Sequence, residues 1–228
     1  MTSPITLQAV LFDLDGTLID TAPDFAVVVN QLLANHGKAE LPYAAIRETV
    51  SHGARALVSL AFDLQEGDDS FEALRLELLD LYGQHLSVET ALFPGIHELL
   101  LWLENHNIPW GIVTNKPRLY AEPILTDLLI SERCSAMVCP DDVTNTKPDP
   151  EPMLLACKQI GCDVQQTLYV GDHRRDIDAG KNARMKTIAV NYGYIDPQDP
   201  AEHWQADFYV NHADEIQPVL IRHFSANR

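Results

Sequence analysis

Ala9-Val10-Leu11-Phe12-Asp13-Leu14-Asp15-Gly16-Thr17 decides the fold of this 228-residue chain. Four consecutive apolar residues with no polar alternation have the pattern of a strand buried on both faces. Two acids and a glycine then end the run, the composition of a turn. The same signature recurs at Trp110-Gly111-Ile112-Val113, Ala136-Met137-Val138-Cys139, Thr167-Leu168-Tyr169-Val170 and Thr187-Ile188-Ala189-Val190. Helical patterns separate these runs, as at residues 98–104, 150–160 and 176–183. Strands alternating with helices predict an α/β fold on a doubly wound, mostly parallel sheet. In such a sheet chemistry collects at the carboxyl ends of the strands, where Asp13 stands.

Between the first strand and Phe93-Pro94-Gly95 the alternation stops. Thr21 and Asp24 read as a capping box, with Pro23 tolerated in the first turn. Phe25, Val28, Val29, Leu32 and Leu33 then share one helical face. Further helices are predicted over residues 43–62 and 71–85, with the acidic turn 65–69 between them. The expected organisation is an α/β core at residues 1–20 and 87–228 and an inserted α-helical domain at 21–86. The tail from Ser225 to Arg228 is expected to fray.

Hydrophobic residues make up 46% of the chain and charged ones 21%, ordinary values for a globular protein. No apolar run has the length of a membrane span. The first residues lack a basic start and a cleavage site, so no signal peptide is read and a cytoplasmic location is expected. Thirty-three acidic against 16 basic residues give a net charge of -17, which argues against nucleic acid and anionic membrane as partners. An anionic small molecule must therefore be drawn by a local cation. Cys134, Cys139, Cys157 and Cys162 do not have zinc-knuckle spacing and are expected to be thiols in a reducing compartment.

Four clusters at strand ends carry candidate chemistry. Asp13 can act as a carboxylate nucleophile, and Asp15 as a proton donor and acceptor, although paired acids at a strand end also serve as plain turn formers. Thr114 and Asn115 end the second strand and can bind phosphate oxygens or simply cap the next helix. Lys147, stiffened by Pro148, can neutralise an anion at Asp13 or lie in solvent. Asp172 and Asp176 offer hard oxygen ligands suited to magnesium, with helix capping the other reading of Asp176.

Asp13-x-Asp15-Gly16-Thr17, Thr114, Lys147 and Gly171-Asp172-x-x-x-Asp176, in this order, resemble the four motifs of the haloacid dehalogenase (HAD) superfamily. The resemblance covers nearly all of the chain outside the insert. It implies a Rossmann-like core, Asp13 as nucleophile, Asp15 as general acid/base, and Thr114, Lys147 and the Asn115 backbone as phosphate binders. It also implies Mg2+ held by Asp13, the Asp15 carbonyl oxygen, Asp172 and Asp176, the last directly or through water. A phosphate monoester is the implied substrate, and residues 21–86 correspond to the helical cap of the phosphoglycolate phosphatase-like subfamily. That subfamily usually has Ser or Thr where His173 stands, and Arg174 and Arg175 make the loop more basic.

Asp20-Thr21-Ala22-Pro23-Asp24-Phe25, Gly53-Ala54-Arg55-Ala56, Val113-Thr114-Asn115-Lys116-Pro117, the Lys147–Pro152 stretch and Tyr192-Gly193-Tyr194-Ile195 are similar to the N-acetylmuramic acid 6-phosphate phosphatases of cell-wall recycling. This implies that sugar phosphate ahead of phosphoglycolate. Both carry a carboxylate, which Arg55 could clamp in bidentate fashion, with His52 reading a sugar hydroxyl. An ion pair with a neighbouring acid is the other reading of Arg55. Among other classes, a signalling receiver carries its accepting Asp on a later strand, and a dehalogenase does not need Asp15. A sugar phosphomutase shares the core motifs.

Overall fold

A computed structural model describes residues 5–226. The chain divides into two units. One takes in the described residues up to Ile19 and from Leu92 onward, the other Asp20–Ala91.

In the first unit, β1 (Ile5–Leu7) and the fully buried β2 (Ala9–Phe12) precede the departure of the chain through β3 (Ile19–Asp20). The second unit is helical: α1 (Ala22–Asn35), α2 (Tyr43–Thr49), α3 (Gly53–Phe62) and α4 (Phe71–Gln84). The chain returns through β4 (Ala91–Leu92) to α5 (Ile96–Asn105), β5 (Trp110–Val113), α6 (Arg118–Asp127) and β6 (Met137–Val138). Then follow α7 (Glu151–Ile160), β7 (Thr167–Gly171), α8 (Arg174–Asn182), β8 (Lys186–Val190), β9 (Phe208–Val210), α9 (Ile216–His223) and β10 (Phe224–Ala226).

Six strands form one parallel sheet in the order β6-β5-β2-β7-β8-β9. From β2 the chain builds outward on one side through β5 and β6, then returns to the other side for β7, β8 and β9. The reversal leaves a crevice at the carboxyl end of β2, the place where ligands bind in open α/β sheets. β2 and β5 are buried throughout because helices cover the sheet, which is why they read as unbroken apolar runs. Leu11, Val113, Val138 and Tyr169 of the sheet pack with Met153, Ala156 and Cys157 of α7 and Ala179 of α8.

The helical unit buries the expected face of α1, Phe25, Val28, Val29, Leu32 and Leu33, and Phe25 stacks on Tyr82 of α4 at 4.1 Å. Two expectations inside it are corrected. Thr21 makes no capping bond, and Asp24 is instead fully buried, accepting from the Glu89 and Thr90 amides and the Thr90 hydroxyl at 2.8, 3.1 and 2.6 Å. A buried carboxylate needs such donors, and the segment returning from α4 supplies them. The helix predicted over residues 43–62 is two helices joined by a tight turn at Val50–His52. Gly53 has φ +77°, outside the helical region, so the helix axis cannot continue through it.

The tail is also corrected. Residues up to Ala226 form β10, parallel to β1, instead of fraying; Asn227 and Arg228 lie outside the described residues. All four cysteines are free thiols, Cys139 and Cys157 buried. Among the described residues no helix is long and apolar enough to cross a membrane.

Candidate active site

The site grows from the turn after β2. The Asp13 amide donates to the Val170 carbonyl at 2.9 Å, carrying the sheet ladder one residue beyond the strand. The Leu14 carbonyl then accepts from Leu18 and Ile19 at 3.0 Å, folding residues 14–19 into a compact loop. Gly16 is required twice over. Its φ is +84°, and a Cβ there would stand 2.1 Å from an Asp172 carboxylate oxygen. The absence of that side chain lets the loop lie against Asp172.

Asp172 is held from three directions. Thr17 donates its hydroxyl to Oδ1 at 3.2 Å and the Tyr194 amide donates to Oδ2 at 2.8 Å. Gly193 approaches so closely that a Cβ would meet the Asp172 Cβ and the Gly16 carbonyl, each at 2.3 Å. Tyr192 completes the closure by donating its hydroxyl to the Thr17 carbonyl at 2.9 Å. The loop after β8 therefore orients this carboxylate, a role no local sequence pattern announced.

Lys147 is buried, which removes the solvent alternative for it. Its ammonium lies 2.7 Å from Asp13 Oδ1 and 2.7 Å from Asp176 Oδ1. The Val113 carbonyl at 2.8 Å and the Tyr169 hydroxyl at 3.0 Å are its other neighbours. Tyr169 donates its own proton to Val113 at 2.8 Å. The three ammonium protons can then go to Asp13, Asp176 and the Tyr169 oxygen, and every group in the cluster has a partner. Asp176 also accepts from the His173 amide at 3.0 Å, so it caps α8 and pairs with Lys147 together.

Thr114 and Asn115 do not cap the next helix; α6 begins at Arg118 behind Pro117. Thr114 Oγ1 accepts from the Lys116 amide at 3.0 Å, which leaves its hydroxyl proton as the donor. The Asn115 side chain clamps the Lys147 backbone, donating to its carbonyl at 3.1 Å and accepting from its amide at 3.2 Å. Lys116 Nζ donates to Asp15 Oδ1 at 2.9 Å.

Asp13, Asp172 and Asp176 each offer a carboxylate oxygen, and these atoms lie within 4.8 Å of one another. Burial, with the Asp176 charge behind it, pushes the Asp13 carboxyl up to about 6 against the pull of Lys147. Burial, with the charges of Asp13 and Asp176, pushes Asp172 to about 7, against the pull of the Tyr194 amide and Arg175. Burial and the same acids raise the Tyr169 phenol well above its usual range, which keeps it a proton donor. Three buried carboxylates thus crowd one ammonium, the chemistry of a site that takes a further cation.

The sequence pattern of the haloacid dehalogenase-like hydrolases matches residues 10–190. The chain belongs to that family. The N-acetylmuramic acid 6-phosphate phosphatase of Pseudomonas aeruginosa is 49% identical over 216 residues, covering 95% of this chain and 96% of that one. A phosphoglycolate phosphatase of Xanthomonas campestris pv. campestris is 40% identical over 209 residues, covering 92% and 94%. The crystal structure of a predicted phosphoglycolate phosphatase from Haemophilus somnus superposes with a TM-score of 0.83 at 27% identity, over 93% of this chain and 97% of that one. This HAD-family chain is a phosphoric monoester hydrolase. Phosphatases of the family generally use a divalent metal, and the three-aspartate cluster has the oxygen donors for one.

In this HAD-family site the departure at His173 has a local explanation. His173 is the N-cap of α8 and its Nδ1 accepts from the Arg175 amide at 3.2 Å, the work that a Ser or Thr hydroxyl does at a helix start. Arg174 is turned to Asp199 in an ion pair, and Arg175 contributes positive charge near Asp13 and Asp172. His52 and Arg55 lie in the helical unit, at the turn into α3. Arg55 pairs with Glu66 at 2.6 Å, with both side chains more than half exposed. The residues that sequence reasoning passed over are Thr17, Lys116, Tyr169 and the 192–194 loop. Thr17 stood in the Asp13–Thr17 motif, and Lys116 and residues 192–194 in family-like segments, each without a role; Tyr169 read only as part of a buried strand.

Proposed function

We propose that this protein is a magnesium-dependent phosphatase that hydrolyses N-acetylmuramic acid 6-phosphate through a phosphoaspartate on Asp13, serving peptidoglycan recycling. The mechanism rests on one observation: Asp13 meets Lys147, with Asp172 and Asp176 beside them, at the carboxyl end of β2. The substrate is supported by the 49% identity to the Pseudomonas aeruginosa enzyme. Phosphoglycolate is the second reading, supported by the Xanthomonas relative.

In the first half-reaction an Asp13 carboxylate oxygen bonds to phosphorus as the ester P–O bond breaks. The electron pair stays on the leaving oxygen, which takes a proton from the Asp15 carboxyl. In the second, Asp15 takes a proton from water, the water oxygen bonds to phosphorus, and the Asp13–phosphorus bond breaks to restore the carboxylate. Lys147, the Thr114 hydroxyl and the Asn115 amide hold the phosphoryl oxygens. Asp13, the Asp15 carbonyl oxygen and Asp172 would hold Mg2+. Asp176, already engaged on both carboxylate oxygens, would reach it through water. When bound, the metal supplies positive charge that offsets the repulsion between Asp13 and the phosphate. The helical unit serves as the cap, and Arg55 gives up an exposed ion pair of small worth to take the substrate carboxylate.

The assay is phosphate release, with magnesium present, from N-acetylmuramic acid 6-phosphate, phosphoglycolate and a panel of sugar phosphates. The muramic acid ester is expected to have the highest kcat/KM, and Arg55→Ala to lower it. A higher kcat/KM on phosphoglycolate would reverse the substrate assignment, and an isomerised sugar phosphate in place of free phosphate would point to a mutase. Unchanged activity of Arg55→Ala on both esters would remove Arg55 from recognition.

The cation has its own readout. Magnesium at a hundred times its Kd is expected to stabilise the fold by about 2.7 kcal/mol, or roughly 5–10 °C in Tm for a chain of this size. Asp172→Asn should abolish that shift. A shift of equal size in the variant would place the ion elsewhere.

A further inference from the structure

The two acids of the Asp13-Leu14-Asp15 turn are paired with different lysines. Lys147 takes Asp13, and Lys116 takes Asp15 at 2.9 Å, from 101 residues away in sequence. The second pair is sheltered: the side chains of Lys116 and Asp15 are 8% and 17% exposed. The Lys116 backbone is tied to Thr114 Oγ1, and the residue between them clamps Lys147. An ion pair out of bulk water and anchored at its backbone keeps its geometry, unlike the loose pairs of a protein surface.

We propose that Lys116 is a positioning residue that holds the Asp15 carboxyl in line for proton transfer to the leaving group. The inference rests on the reading of Asp15 as the general acid/base. When the ester P–O bond breaks and the Asp13–phosphorus bond forms, the leaving oxygen takes the Asp15 proton and Asp15 becomes a carboxylate. The ion pair at 2.9 Å is the arrangement that receives this carboxylate and holds it in place for the second half-reaction, in which Asp15 takes a proton from water. Lys116 acts through Asp15 and does not itself touch the phosphorus.

A good leaving group needs no proton, which separates positioning of Asp15 from a general effect on the site. Values of kcat/KM on N-acetylmuramic acid 6-phosphate, an alkyl ester, and p-nitrophenyl phosphate, an aryl ester, are compared for Lys116→Met, Lys116→Gln and Lys116→Arg. Met and Gln are expected to lower the alkyl value by about 10- to 100-fold, within the range of general acid catalysis, with the loss in kcat and not in KM. The aryl value should stay within about threefold of wild type, and Arg should restore most of the alkyl rate. Equal losses on the two esters, a loss confined to KM, or no loss at all would overturn the proposal. Asp15→Asn is the control for the underlying reading. If it does not show the same alkyl-selective loss, the general-acid reading of Asp15 falls, and the proposal with it; if it does and the Lys116 variants do not, only the proposal falls.

Discussion

Asp13→Asn is expected to lower the rate of phosphate release by at least roughly 10³-fold and to leave the fold at least as stable as before. The two halves of this expectation have different origins. The loss follows from the nucleophile: a carboxamide in place of the carboxylate cannot form the acyl phosphate. The retained stability follows from the surroundings of Asp13. Its charge is buried beside Asp176, and these together push its carboxyl up to about 6 against the pull of Lys147. Removing that charge relieves the crowding, and Lys147 keeps Asp176, the Val113 carbonyl and Tyr169. Rate assays and thermal unfolding of the same preparation check both halves. Activity within tenfold of wild type would remove Asp13 as the nucleophile.

Lys147→Met is expected to abolish activity and, unlike the first variant, to destabilise the protein by about 3–5 kcal/mol, the usual result of removing one partner from a buried charged cluster. Methionine fills the volume but leaves Asp13 and Asp176 without the shared ammonium, and the Tyr169 hydroxyl without the proton it accepts. Adding Asp176→Asn removes one of the two stranded charges and should recover part of the loss. Thermal unfolding in EDTA reads this most cleanly, because a bound divalent cation would mask the deficit. For a chain of this length the single variant should unfold roughly 6–20 °C below wild type. An unchanged Tm would mean that Lys147 is not the charge that balances the acids.

The contrast between these two variants marks what was legible in the sequence. Asp13 was readable because its signal is local: an apolar strand, then Asp-Leu-Asp-Gly. Lys147 alone read more readily as a solvated side chain, and only its burial between two aspartates decides the matter. Asn115 was expected to contribute its backbone; that its side chain grips the Lys147 main chain depends on a contact across 32 residues. Lys116 gave no sign of its pairing with Asp15. The division of residues 43–62 into two helices was half legible, since Gly53 marks the place but not its positive φ. β9 was missed because Phe208-Tyr209-Val210 is short and only partly buried, and β10 because its pairing is with the far end of the chain.

Taken by itself, the sequence determined the parallel strands, the helical insert and the order of the acids, since periodicity and turn composition are properties of neighbouring residues. The tertiary structure alone decided which charge meets which. In a doubly wound sheet the strand ends converge on the switch point beside β2, and loops distant in sequence become neighbours there. Lys147 and Lys116 therefore acquire their acids through topology. Gly16 and Gly193 matter because they let two loops close on Asp172, an approach that no local pattern encodes.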